Sequence, residues 1–156
     1  MASWRGPAHT AIDWRESSAI KIPDSVRHFA DKRGLARELA RTVMRWERVP
    51  DIAFFADNTA AFVHDLGPDD LSTLAGDSHC VRVNVLTNAD ALDREQRLGV
   101  VGDITAAVAR AAGDPALQAR TWVALTQAVP GGWGIGGHAY TNEEIVRTVR
   151  QLLGKE

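Results

Sequence analysis

Apolar residues recur along this chain in two periods, at alternate positions in short runs and at every third or fourth in longer ones. Over 18–23, Ile20 and Ile22 alternate with Ala19 and Lys21, and Pro23 ends the run, which predicts a short strand. Asp24 or Ser25 then caps a helical turn. Over 34–47, Leu35, Leu39, Val43 and Trp46 fall on one stripe, with Arg37, Glu38, Arg41 and Arg45 mostly off it. This predicts a helix, broken at Val49 and Pro50. Residues 52–56 and 60–64 read as strands about a turn at 57–59, and 66–76 as a connector with one helical turn at 68–74.

The order then repeats. Over 80–86, Val81, Val83 and Val85 face one way and Cys80, Arg82 and Asn84 the other. A long helix is expected over 93–112, with Leu98, Val101, Ile104, Val108 and Ala111 as its stripe and Gly113 at its end. Over 120–127, Val123 and Leu125 share one strand face, and Arg120, Trp122, Ala124 and Thr126 share the other. Thr141 and Glu144 form a capping box that starts a last helix, with Ile145, Val146, Val149, Leu152 and Leu153 on its apolar side. Residues 1–15, with Trp4 and Trp14, read as an irregular arm.

Strand, helix and strand therefore occur twice, at a period of roughly 65–70 residues. A helix between two strands of one sheet implies a parallel pair with a right-handed crossover. The expected fold class is α/β: two fused β-α-β units forming a four-stranded sheet with two helices on one face. Residues 1–75 hold the arm and the first unit, and 76–156 the second unit, a glycine-rich hairpin and the C-terminal helix.

Composition narrows the function classes. A chain of 156 residues that is 45% hydrophobic and 24% charged is long enough for a core without staples. A formal net charge of -2 carries no electrostatic footprint for nucleic acid. Cys80 is the sole cysteine, which leaves no intrachain disulfide or cysteine-based zinc site. The five histidines lack metal-ligand spacing, and no apolar run would span a bilayer, so the expectation is a cytoplasmic protein without metal, membrane or nucleic-acid partner.

The most distinctive stretch is 129–138, which holds five of the thirteen glycines around Trp133 and Ile135. Two large apolar anchors argue for a tight hairpin rather than a linker. The Gly-Lys-Ser/Thr ending of a phosphate loop is missing. Arg120, Thr121, Trp122 and Val123 precede it, and Thr141, Asn142, Glu143, Glu144 and Ile145 come after it. Together with the hairpin they resemble the 4-oxalocrotonate tautomerase-like branch of the tautomerase superfamily, over residues 79–145.

The resemblance implies a cofactor-independent keto-enol tautomerase or isomerase acting on a small 2-oxo (enol) acid, assembled as a homotrimer. In the family an N-terminal proline amine is the general base, arginines bind the substrate carboxylate, and the hairpin aromatic walls the pocket. Here Met1 is followed by Ala2, and matching the second unit puts His79 at the place of the proline. His79, whose imidazole titrates near neutrality, is then the candidate base, with Arg120 and Arg82 as carboxylate ligands. Trp122, Trp133, Ile135 and His138 are the candidate substrate-binding residues. The missing proline supports the alternative of a non-catalytic oligomeric binding or scaffold protein.

Overall fold

The computed structural model describes residues 19–23, 29–66, 70–76 and 79–154, with the strand at 19–23 given as backbone. The arm at 1–15 and the cap at Asp24 or Ser25 lie outside the described residues, as does part of the expected turn at 68–74.

Two β-α-β units are present. In the first, β1 (Ala19–Pro23) leads to α1 (Lys32–Trp46) and, after a short α2 (Ala53–Asn58), to β2 (Phe62–Leu66), parallel to β1 from Ala19↔Phe62 to Pro23↔Leu66. In the second, β3 (Val81–Thr87), α3 (Arg94–Ala112) and β4 (Thr121–Gln127) make another parallel pair, from Val81↔Thr121 to Thr87↔Gln127. β1 meets β3 antiparallel at Ile20↔Val83 and Lys21↔Arg82, giving the strand order β2-β1-β3-β4.

Both long helices pack on one side of these strands. Val81, Val83 and Val85 of β3, at most 6% exposed, bury against Leu35 and Leu39 of α1 and Val100, Ile104 and Val108 of α3. Val123 and Leu125 of β4 join the same cluster, so the two units share one core. The expected stripe of α3 is shifted: Leu98 is 57% exposed, and Val100 and Ala107 take its place. That side of α3 is the one that reaches both β3 and α1.

Local chemistry sets the helix ends. The Asp31 side chain accepts a hydrogen bond from the Gly34 N–H at 2.7 Å, so α1 starts two residues earlier than its apolar stripe suggests. Asp93 and Gln96 form a reciprocal capping box on α3, and Gly113 ends it at φ 64°. Of residues 52–56, expected as a strand, 53–56 belong instead to α2, with Ile52 as its N-cap. Phe54 and Phe55 are consecutive rather than alternating, and a run this short has no decisive period. Tertiary contact decides it: Phe54 stacks edge-on against both Phe55 and Tyr140.

After β4 come β5 (Trp133–Ile135), β6 (His138–Tyr140) and α4 (Asn142–Leu152). β5 and β6 pair antiparallel across Gly136 and Gly137, whose φ of 58° and 83° a two-residue hairpin turn requires. The Thr141 hydroxyl accepts from the Glu144 N–H, and the Glu144 carboxylate accepts from the Thr141 N–H, capping α4. These contacts hold the Glu144 carboxyl below the usual range, with the Thr141 backbone N–H first among the causes. Thr141→Ala is expected to cost about 1 kcal/mol, read as a lower denaturant midpoint with an unchanged slope.

Candidate functional site

The sequence-derived candidates divide between opposite ends of the β3-β4 pair. His79, Arg82, Arg120 and Trp122 gather where the two strands begin. Arg120 is not on the strand face shared by Trp122. It ends a 3-10 turn over Pro115–Arg120, because Pro115 behind the Asp114 cap starts a helical turn there and delays the strand to Thr121. Its guanidinium donates to the His79 carbonyl and, at 2.9 Å, to Asp114, whose other oxygen accepts from the Ala116 N–H. Arg120 thus ties the start of β4 to the start of β3. Arg120→Ala should cost about 1 kcal/mol, a fall of roughly 2–4 °C in Tm by calorimetry, with Arg120→Lys recovering only part.

Arg82 lies opposite Trp122 in the β3-β4 register and donates to the Asn84 side chain at 3.1 Å. Arg82 and Trp122 are on the side of the sheet away from the helices, where Trp122 is 47% exposed. The His79 side chain is exposed.

Trp133 and Ile135 lie beyond the other end of β4. Together with the turn that follows α1, with α2 and with α4 they line a half-open cavity of about 410 Å³. A second cavity of about 80 Å³ adjoins it under α1, and Glu47, Asn58, Thr59, Asn88 and Trp133 line both. Because β1 runs antiparallel to β3, these cavities lie at the end of the sheet where β1 starts and β3 stops. His138 does not line either. Its ring stacks edge-on with Tyr140, and its Nε2 lies 3.4 Å from a Glu144 oxygen.

Glu47 is a residue that the periodicity of the sequence did not single out. It is the C-cap of α1, half-buried, and burial pushes its carboxyl up to about 7. The physical cause is loss of water around the ionised form. The signal was present in the sequence: an acidic residue at a helix C-terminus faces the negative end of the helix dipole, where basic residues are the norm.

The chain leaves α1 through a Schellman turn. The Arg48 N–H bonds the Arg45 carbonyl at 3.1 Å and the Val49 N–H bonds the Met44 carbonyl at 3.2 Å, with Arg48 in the left-handed region at φ 57°. This turn places Arg48 in the wall of the larger cavity, to which α4 contributes Arg150. Phe54, Phe55, Ile135 and Val149 supply much of the apolar lining. Glu47, two arginines, amide side chains and an aromatic wall therefore line a single half-open space. Such a site can hold a small anion and move a proton on it. Among the described residues no cluster of histidine, cysteine and carboxylate side chains has the makings of a metal site.

At the level of sequence, no protein-family model and no curated protein matches. The folded chain does match solved structures. A wild-type fused 4-OT, described as an asymmetric trimer, superposes with a TM-score of 0.63 at 15% identity, covering 81% of this chain and 96% of that one. The chain shares the fold of that structure. A malonate semialdehyde decarboxylase, described with decarboxylase and hydratase activities, gives a TM-score of 0.60 at 20% identity, over 83% of this chain and 96% of that one. A member of the cis-3-chloroacrylic acid dehalogenase family gives 0.62 at 16%, over 87% and 96%. One fold is thus shared by proteins described with different activities, and the fold alone does not fix what this chain does.

Proposed function

We propose that this chain is a cofactor-independent enzyme of keto-enol tautomerisation, acting on a small 2-oxo acid in the Glu47 cavity. The observation that carries the reading is the convergence of Glu47, Arg48, Arg150 and Trp133 on one cavity at the start of β1. Arg48 and Arg150 hold the substrate carboxylate. The Glu47 carboxylate takes a proton from the carbon beside the 2-oxo group. The C–H bond breaks, its electron pair passes to the oxygen as an enolate, and the Asn88 amide offers that oxygen a donor. Return of the proton from Glu47 to oxygen gives the enol, and the reverse sequence gives the ketone. Trp133, Ile135, Phe54 and Phe55 limit water, which strengthens the ionic contacts inside.

This assignment moves the base from His79 to Glu47 and the carboxylate ligands from Arg120 and Arg82 to Arg48 and Arg150. It needs no terminal amine. Assembly as a homotrimer goes with it: Arg82 and Trp122 present an exposed aromatic face on the side of the sheet that the helices leave bare. The fused 4-OT trimer of the same fold supports that state.

The direct test is exchange of the C3 protons of a 2-oxo acid in D2O, followed by proton NMR. Exchange accelerated by the protein and abolished by a competing carboxylate is the expected result. Exchange at the buffer rate across a panel of mono- and dicarboxylate 2-oxo acids would favour the binding-protein alternative.

A further inference from the structure

Glu47 sits at the end of a helix whose last turn is fastened to α3 by three residues on one side of that helix, Gln96, Gly99 and Asp103. Gln96, 8% exposed, donates its side-chain N–H to the carbonyl oxygen of Trp46 at 2.5 Å, while its Oε1 accepts from the Asp93 N–H at 2.8 Å. Its amide is therefore held at both ends, and it holds the peptide that joins Trp46 to Glu47. Asp103 accepts from the Trp46 indole Nε1–H at 2.8 Å and from Arg45 at 2.9 Å, both on the same carboxylate oxygen. Between them, Gly99 leaves the space that the Trp46 ring fills: a Cβ at that position would come within 2.1 Å of the ring. The Glu47 N–H in turn bonds the Val43 carbonyl at 2.9 Å, so backbone freedom is removed on both sides of the residue.

A core aromatic needs no such fastening for packing alone, since apolar contact is non-directional. Directional bonds at the indole N–H and at the main-chain carbonyl fix rotation and translation of the last turn together. A base works only when its oxygen is held within a few tenths of an ångström of the proton it takes.

Resting on the reading of Glu47 as the base, we propose that Gln96 and Asp103 are positioning residues that fix the Glu47 carboxyl in its cavity through Trp46. Neither touches the substrate. Their role is to keep the end of α1 from shifting outward, which would admit water beside the carboxyl and let it leave the reacting carbon.

The test reads Glu47 directly, so it does not depend on knowing the substrate. The carboxyl titration of Glu47 is followed by carbon-13 NMR in the full chain and in Trp46→Phe, Asp103→Asn and Asp103→Ala. Trp46→Phe keeps the ring and loses the indole N–H; Asp103→Asn keeps an acceptor; Asp103→Ala loses it. The other charged groups lining the cavity with Glu47, Arg48 and Arg150, are present in all four proteins. The expected result is a Glu47 titration displaced by one unit or more toward the ordinary carboxylate range in Trp46→Phe and Asp103→Ala, and retained in Asp103→Asn. With a 2-oxo acid, the same two variants should lose about tenfold in kcat, with KM within twofold. Gln96→Met, which removes the donor without adding a charge, should behave as Asp103→Ala does. A Glu47 titration unmoved in Trp46→Phe and Asp103→Ala while both remain folded would overturn the positioning role. A moved titration in a protein whose exchange activity survives Glu47→Gln would instead overturn the assignment of the base and leave the fastening of Glu47 in place.

Discussion

Glu47→Gln is expected to lower kcat/KM for 2-oxo acid tautomerisation by roughly a hundredfold or more, because a positioned general base contributes about that much or more. The amide keeps the shape and some hydrogen bonding but has no basic oxygen. In the parent protein kcat/KM should rise with pH through about 7, where Glu47 ionises, and then level off. The variant should be flat over the same interval. Stability should move the opposite way. The folded carboxyl titrates above its unfolded value of 4.5, so its contribution is fully present below about 4.5 and is lost as pH rises through about 7. Glu47→Gln should therefore match the parent at pH 4, and by pH 8 be the more stable by on the order of 2 kcal/mol in denaturant titrations. Groups whose ionisation is disfavoured by burial are concentrated at active sites.

Gly99→Ala should destabilise the protein by about 2 kcal/mol, although Ala is favoured over Gly in a helix interior by about 1 kcal/mol. The added Cβ would stand 2.1, 2.2 and 2.5 Å from three ring carbons of Trp46, far inside contact distance. The indole cannot swing away freely, because its Nε1–H is held by Asp103. The conflict is relieved only by moving the end of α1 off α3, and with it Glu47. Urea unfolding would register the sign directly. A stabilised Gly99→Ala protein would mean that Trp46 has another seat of equal energy.

Much of the architecture was legible because long elements repeat their period. The stripe of Leu35 and Leu39 and the alternation of Val81, Val83 and Val85 correspond to buried residues. The capping box at Thr141 and the glycine pair at 136 and 137 fix their local geometry almost alone. What was not legible is decided between segments distant in the chain. Whether 52–56 is helix or strand depends on Phe54 meeting Tyr140. Whether Arg120 faces a ligand or a structural partner depends on Asp114 turning back toward it. Trp133 was singled out by its glycines, but the groups it faces come from the end of α1 and from α4. Arg120 and Trp133 are close in sequence and lie at opposite ends of β4, since a strand of this length holds its two flanking segments roughly 20 Å apart.

The Schellman turn behind Glu47 has a consequence for how this sequence can vary. Its C′ position, φ 57°, is one that glycine occupies without steric penalty and that an ordinary side chain occupies at a cost of roughly 1 kcal/mol. This chain has Arg48 there. Selection for thermal robustness alone would drift toward glycine at 48, and each such change would remove one cation from the cavity wall. Directed evolution under heat challenge, without a requirement for activity, should recover that substitution early. Under a requirement for turnover it should be absent among survivors, so the residue recovered at this one position reports which pressure was applied.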